Sequence, residues 1–258
     1  MARDDAAKVS RHQALLDLIE ARGYLSLTEA SQELAVSEQT IRRDVLALQT
    51  EGKVRKTHGG VTFAGVLDQG TYMKRQMAQP IEKLVIAKRV ADLIPDGASV
   101  FLDSGTTCEA IAEALLVRRG LRVVTYSFRC AARLTDRDDI TVAIPGGIVR
   151  HLDGAIVGPL DDGFIEQFSF DFAVVAVSGL NHRGHLGDDD AFEVSRVRAA
   201  MDKAGQTILA LTSDKFGITG LVDLADFSEI DIAVVNGPPS DDLIDLAHKK
   251  EVVLLQAD

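Results

Sequence analysis

The spacing of apolar and polar positions divides the chain into two differently patterned parts. From Val9 to Arg22, Ala14, Leu15, Leu18 and Ile19 recur with helical spacing, which predicts an amphipathic helix closed by Gly23. The stretch from Leu27 to Val61 predicts two short helices, a tight turn and a hairpin. Thr28 is placed to cap the first helix, which carries Ala30 and Leu34. Ser37 is placed to cap the second, where Ile41, Val45 and Leu48 fall at i, i+4 and i+7 and form one apolar face. Gly52 ends that helix. Val54 to Val61 then alternates around Gly59-Gly60, the pattern of a small hairpin or wing. Tyr24, Leu25 and Leu27 are expected to fill the core between the three helices.

Beyond Phe63 the rhythm weakens. Residues 62–79 hold Gly65 and Gly70 and little periodicity, as expected of a connection. The domains are therefore expected at 1–63 and 81–258, with 64–80 as linker. Pro80 opens a predicted helix running to about Ile94, its mixed face drawn from Leu84, Val85, Lys88, Val90 and Ala91, and Pro95-Asp96-Gly97 stops it. After Gly97, apolar strand runs at 98–102, 121–125, 140–144, 171–177, 207–211, 232–235 and 252–255 alternate with helical patterns near 107–116, 128–134, 191–204 and 240–248. Such alternation predicts an α/β domain, a mostly parallel sheet with helices on both faces. The fold expected is a small N-terminal winged helix-turn-helix followed by this larger domain.

Charge sharpens the division. The 258 residues carry a net charge of −11, which by itself argues against a polyanionic partner. Residues 1–63 nevertheless balance, with nine Lys/Arg and nine Asp/Glu, and the remainder holds 19 and 30. From Arg42 to His58 there are five basic residues against two acids. Off the apolar face of the second helix lie Gln39, Thr40, Arg42 and Arg43, the residue types that reach base edges and phosphates. Cap, turn, basic face and wing occur in the order of a DNA-reading helix-turn-helix. A pair of arginines alone is more commonly a solvated face. The candidate contacts to double-stranded DNA are Thr28, Ser37, Glu38, Gln39, Thr40, Arg42 and Arg43, with Lys53, Arg55, Lys56 and His58 on the wing. No apolar run reaches membrane-spanning length and the start has no signal-peptide core, so a cytoplasmic protein without membrane contact is expected. Cys108 and Cys130 are expected to be reduced thiols.

Four polar or glycine-rich turns fall at the expected carboxyl ends of the strands, where parallel α/β sheets bind ligands. They are Asp103-Ser104-Gly105-Thr106-Thr107, Pro145-Gly146-Gly147 followed by Arg150, Ser178-Gly179-Leu180, and Thr212 to Gly217 with the cation Lys215. Each alone is commonly a plain tight turn. Together, amides at a helix start, hydroxyls and a cation suit a small anion such as a phosphate ester. Asp188-Asp189-Asp190 with Glu193 invites a Mg²⁺ or Ca²⁺ reading, but the spacing lacks the alternating ligands of a calcium loop. His182 and His185 have no cysteine partners nearby for zinc. No metal or cofactor is expected.

These residues carry a family resemblance. Arg11-His12-Gln13, the run Ser37 to Asp44, and Lys56-Thr57-His58-Gly59-Gly60 resemble the DeoR family of bacterial transcription repressors, and within it the group controlling a glycerol-3-phosphate regulon. The resemblance extends to the C-terminus and includes Arg75, Glu82 and Lys83. It implies a C-terminal domain similar to ribose-5-phosphate isomerase and the coenzyme A transferases that senses a phosphorylated metabolite, glycerol 3-phosphate or a sugar phosphate. It implies effector contacts at Asp103, Gly105, Thr106 and Thr107, at Gly146 and Gly147, at the acidic pair Asp190 and Glu193, and at Lys215, which stands in a family run matched also by Phe216 and Gly217. With the turn residues Ser104, Arg150, Ser178 and Gly179, these make up the candidate effector site. Asp214 stands where the family usually has Ser, Thr212 where it often has Asp, and Val197 where it often has Lys. The resemblance implies a homodimer or homotetramer that reads two half-sites, represses a carbohydrate or polyol operon, and catalyses nothing. Two alternatives stay open. An activator would have the same architecture. A sugar-phosphate isomerase would draft Asp103, Glu193 and Lys215, but Ser178-Gly179-Leu180-Asn181 stands where that enzyme has Asp-Gly-Ala-Asp.

Overall fold

The computed structural model describes Lys8, residues 11–16, 18–19, 24–50, 54–57, 60–63, 72–150, 153–157 and 163–258. The chain divides into two compact units, Met1–Gly70 and Thr71–Asp258.

In the first unit a helical stretch, α1, covers residues 11–16, 18 and 19. Leu15 and Ile19 are fully buried on it. Tyr24–Ser26 forms strand β1, and Leu25 and Leu27 pack into the core as expected. Strand β1 pairs antiparallel with β3 (Gly60–Phe63), which pairs in turn with β2 (Val54–Thr57), so the wing becomes a three-stranded sheet. Thr57 lies opposite Gly60. Helix α2 (Leu27–Glu33) is capped by Ser26, not by Thr28. Ser26 Oγ accepts from the Glu29 amide at 3.1 Å, and Glu29 accepts from the Ser26 amide at 2.9 Å, a reciprocal capping box. Sequence reading missed it because Ser26 also belongs to β1. Helix α3 (Glu38–Thr50) is capped by Ser37 as expected, its hydroxyl accepting from the Thr40 amide at 3.2 Å. Ile41, Val45 and Leu48 bury completely or nearly so against Leu25 and Ala30. The expected helix ends at Val9, Arg22 and Gly52, and the turn residues His58 and Gly59, lie outside the described residues.

In the second unit, α4 (Tyr72–Met77) occupies part of the stretch expected to be linker. Helix α5 (Pro80–Leu93) follows, with Pro80 in its first turn. It buries Lys83, Ile86, Ala87, Val90 and Ala91, while Leu84 and Lys88 are exposed. The expected face was displaced because Lys83 is buried for its ammonium's sake, donating to the carbonyls of Ala78 at 2.6 Å and of Arg75.

The main sheet uses β4 (Ser99–Leu102), β5 (Arg122–Val124), β6 (Thr141–Ala143), β9 (Phe170–Val175), β12 (Ala204–Leu211), β14 (Ile232–Asn236) and β15 (Val253–Ala257). All neighbours are parallel, in the order β15-β14-β12-β9-β4-β5-β6. Helices α5, α6 (Thr106–Ala114) and α7 (Phe128–Leu134) bury Ile86, Ile111 and Leu134 in one apolar layer. Helices α8 (Ala191–Met201) and α9 (Asp241–Lys250) bury Val194, Val197 and Leu243 in the other. Helices thus cover both faces, as the alternating pattern predicts. The pairs β7 (Ile148–Val149) with β8 (Ile156–Val157), and β10 (Gly179–Leu180), β11 (His185–Asp188) and β13 (Val222–Asp226), are short antiparallel additions that the sequence pattern does not reveal. From β4 the sheet grows one way through β5 and β6 and the other way through β9 and β12, so the chain changes direction between β4 and β9. In open parallel sheets ligands bind outside the strands' carboxyl ends at such a switch point.

Candidate functional site

Helix α3 is held from beneath by a buried carboxylate. Asp44, 2% exposed, accepts from Arg11 at 2.5 and 3.0 Å and pairs with His12 at 3.0 Å. Burial pushes its pKa up, but the hydrogen bonds and charges of Arg11 and His12 outweigh that and hold it below the ordinary value. The opposite face of α3 is open. Gln39, Arg42, Arg43, Leu46 and Gln49 line a shallow concavity of about 340 Å³. Thr28 donates to Glu38 at 2.8 Å, the Ser37 and Thr40 hydroxyls lie 2.9 Å apart, and Glu38 pairs with Arg42 at 3.5 Å. Five of the expected residues thus form a polar run over the start of α3, with Gln39 and Arg43 exposed beside it. Leu46, 64% exposed on this basic face, was missed. An apolar residue four beyond Arg42 is the signal that could have found it, since such a side chain meets thymine methyls in a major groove. Arg55 and Lys56 lie on β2, and Lys53 and His58 are outside the described residues.

The second site is built on the switch point. Asp103 directly follows β4 and is 3% exposed. One oxygen accepts from the Ser104 amide at 2.6 Å and from the Tyr126 hydroxyl; the other accepts from the Ala176 amide at 3.1 Å, just beyond β9. Asp103 therefore bridges the two strands where the sheet divides. Its oxygens are engaged within the protein, so it shapes the loop rather than facing a ligand. Burial pushes its pKa up to about 7; the Asp188 charge adds to this, and the Tyr126, Ala176 and Ser104 donors oppose it. Gly105 begins α6 with φ +99°, and a Cβ there would meet nothing within 4 Å. Backbone conformation, not crowding, requires glycine, and the open side lets an anion reach the amides that start the helix, where Thr106 and Thr107 stand. Gly105 offers them no side-chain cap.

The other turns converge on this loop to different degrees. Ser104 Oγ donates to Glu193 at 3.3 Å. Glu193 also takes a contact from Arg150, which is further held by Asp153 and, at 3.0 Å, by Asp190. Arg150 was expected as a cation facing an anion; three carboxylates already surround it, so it organises the acids instead. Burial raises the Glu193 pKa to about 7 against the opposing pull of Arg150. Ser178 Oγ lies 2.9 Å from Asp188 and 2.6 Å from Asp189. One hydroxyl proton serves one acceptor at a time, which suits the raised pKa of Asp188, about 6, caused by burial and then by the Asp189 charge. Burial raises the Asp189 pKa, and the Ser178 hydrogen bond, Arg75 and Lys215, which is half-buried in the loop after β12, oppose that rise.

Gly147 and Gly179 are explained without a ligand. A Cβ would stand 2.7 Å from the Val157 carbonyl oxygen at the first and 2.5 Å from that of Ile218 at the second. Gly146 is exposed beside the first. Thr212 and Val197, which depart from the family pattern, are 5% and 2% exposed, and Val197 packs in the core. Phe216 stacks edge-on against His182, ring centroids 4.9 Å apart. Among the described residues no three His, Cys, Asp or Glu are placed to hold a metal ion, and no helix is long and apolar enough to cross a membrane. Tyr126 is the residue of this site that sequence reasoning missed. An aromatic residue after an apolar strand reads as core, and its hydroxyl partner lies 23 residues earlier.

Comparison with known proteins identifies both domains. A family described as the DeoR-like helix-turn-helix domain matches residues 11–65, and the DeoR C terminal sensor domain matches residues 78–237. The chain is 34% identical over 232 residues to the glycerol-3-phosphate regulon repressor of Escherichia coli (strain K12), covering 90% of this chain and 92% of that one. It is 36% identical over 245 residues to the repressor of the same description from Haemophilus influenzae, covering 95% and 96%. Among solved structures, ribose 5 phosphate isomerase A from Neisseria gonorrhoeae aligns over 52% of each chain at 12% identity, with a TM-score of 0.39.

Proposed function

The chain belongs to the DeoR family of DNA-binding transcriptional repressors, and from that premise we propose that a phosphorylated polyol or sugar, bound at residues 104–107, releases it from its operator. The observation that carries this reading is the start of α6 at the switch point, where Gly105 offers no side-chain cap and leaves space in front of the amides. A phosphate carries ~1.5–2 negative charges near neutral pH and several acceptors, which suits those donors. Ser104, Thr106 and Thr107 supply hydroxyls, and Lys215 supplies a cation. Asp188, Asp189, Glu193 and Ser178 offer acceptors for the effector's hydroxyl groups. Glycerol 3-phosphate is the leading effector, since relatives 34% and 36% identical to this chain are described as repressors of its regulon.

On this reading residues 1–63 bind operator DNA, 64–80 link, and 81–258 sense. Arg42, Arg43 and the wing contact phosphates, and Gln39 and Thr40 approach base edges. A homodimer or homotetramer in the cytoplasm reads two half-sites. The effector acts by binding one arrangement of the protein better than the other. The protein is not an enzyme: Asp103, the obvious base for isomerisation, is buried with both oxygens engaged, and a general base must reach the proton it removes.

A thermal-shift screen tests the reading. Glycerol 3-phosphate and common sugar phosphates are set beside their unphosphorylated forms. A ligand that binds the native state raises the melting temperature by mass action. A shift with one phosphate ester and not its parent alcohol is expected, followed by release of operator DNA by that compound. No shift with any phosphate ester would overturn the effector assignment and leave the DNA-binding assignment standing.

A further inference from the structure

We propose that Tyr126 is a positioning residue for the effector loop: through Asp103 it holds the backbone of residues 104–107 in the form that receives a phosphate. The inference rests on the effector reading above and names a residue which that reading does not require. Tyr126 is 1% exposed and fixed on several sides. Its carbonyl accepts from the Ile156 amide at 2.8 Å. Its ring packs on Phe101, centroids 6.2 Å apart, and the Arg196 guanidinium lies 5.3 Å above it. A phenylalanine would fill the same core. The hydroxyl adds the contact to Asp103, and Asp103 in turn grips the Ser104 amide at 2.6 Å and the Ala176 amide at 3.1 Å.

The loop needs an external hold. Gly105 contributes no side chain to the cap of α6, and its carbonyl accepts from the Glu109 amide at 2.9 Å. Hydrogen bonds to a charged acceptor are stronger than neutral ones, and a buried one is barely screened. The Tyr126–Asp103–Ser104 chain therefore transmits the rigidity of the core to the entry of the anion-facing turn. Donation from Tyr126 also favours the charged form of Asp103. The other titratable or charged groups acting on the pair are Asp188 from β11, Glu193 and Arg196 from α8, Cys108 from α6, and Cys130 from α7, whose thiol lies 3.8 Å from the Asp103 carbonyl oxygen.

The test compares full-length wild type with Tyr126→Phe. Binding of glycerol 3-phosphate and of inorganic phosphate is titrated by thermal shift between about pH 5.5 and 8.5, a range that brackets the raised carboxylates, with glycerol as the uncharged control. The variant is expected to bind about tenfold more weakly near neutral pH, the effect of losing one charge-assisted hydrogen bond. Its pH profile is expected to move upward as well, because Asp103 without the tyrosine proton stays protonated to higher pH. A lower melting temperature with unchanged affinity and unchanged pH profile would mean that Tyr126 only fills the core, and would overturn the inference alone. If wild type responds to neither phosphate probe, the effector reading fails and this inference falls with it. Should Tyr126→Phe not fold, Asp103→Asn carries the same test. Its amide presents N–H to the Ala176 N–H and cannot ionise, so weaker binding with a flattened pH profile is expected, and wild-type behaviour would overturn the inference.

Discussion

Asp44 in the first unit and Asp103 in the second are both buried aspartates, 2% and 3% exposed, yet their acidities depart from the ordinary value in opposite directions. Burial raises both. Asp44 is met by the Arg11 guanidinium and the His12 imidazole, whose interactions more than offset burial. Asp103 is met by a phenol and two amides, with Asp188 adding repulsion, and it rises to about 7. A buried acid matched by a cation is an anchor with a fixed charge. A buried acid matched by neutral donors keeps a charge that a neighbour can change. The signs of the pH dependence follow. The stability contributed by Asp44 is present above the unfolded aspartate pKa of about 4 and is lost as pH falls through its lowered value. The second unit's raised acids contribute stability present below about 4 and lost as pH rises through about 6 to 7.

The strongest way to break this comparison is Asp44→Ala. Removing one member of a buried ion pair strands the others and costs about 3 kcal/mol. For a unit of this size that is a large part of the total stability. The first unit is expected to melt early and operator affinity to be lost, while the response of the second unit to phosphate esters stays intact. Melting followed by probes in each unit, with operator binding by fluorescence anisotropy, reads both effects. A first unit that melts as wild type would mean that Asp44 is no anchor.

Arg43→Ala sharpens the same contrast on the exposed side of the helix that Asp44 secures. Arg43 is exposed on α3, so stability should not change. Losing a phosphate or base contact is expected to weaken operator binding about 10- to 100-fold and to reduce the salt slope by about one. Unchanged affinity would remove Arg43 from the DNA face. Arg42 is a less clean probe, because its partner Glu38 at 3.5 Å would be freed as well.

The two regions also differ in how far the sequence discloses them. The helices around α3 follow local rules: Ser37 caps its own helix, and Ile41, Val45 and Leu48 face inward by spacing alone. Even there, Ser26 rather than Thr28 caps α2, because one serine both ends a strand and begins a helix. In the second unit the parallel strands are legible as apolar runs and the loop at Asp103 as a turn. The partners of that loop are not. Tyr126, Ala176 and Glu193 lie 23, 73 and 89 residues from the residues they contact, and only the sheet order brings them together. Lys83 shows the same limit: the span of α5 was legible from Pro80 and Pro95, but the burial of a lysine on two carbonyls was not, so its inner face was misread. Short antiparallel pairs such as β10 with β11 are too brief to show a period.

The smallest effect tests the second half of the comparison most directly. If Glu193 and Asp188 surround the place where a phosphate binds, the incoming charge must raise their pKa values further, from about 7 and 6. Binding then takes up protons, and by linkage affinity must fall as pH rises. The effector's own second ionisation, near ~6, works the other way, since it increases the dianion as pH rises. The two contributions separate above pH ~7, where the dianion is nearly complete and any further decline belongs to the protein. Affinity for glycerol 3-phosphate is expected to fall about threefold to tenfold between about pH 7 and 8.5. Calorimetry in two buffers of different ionisation enthalpy should show net proton uptake. A flat profile without uptake would separate these acids from the bound phosphate, and would make their raised acidities, like the lowered one of Asp44, a matter of the fold alone.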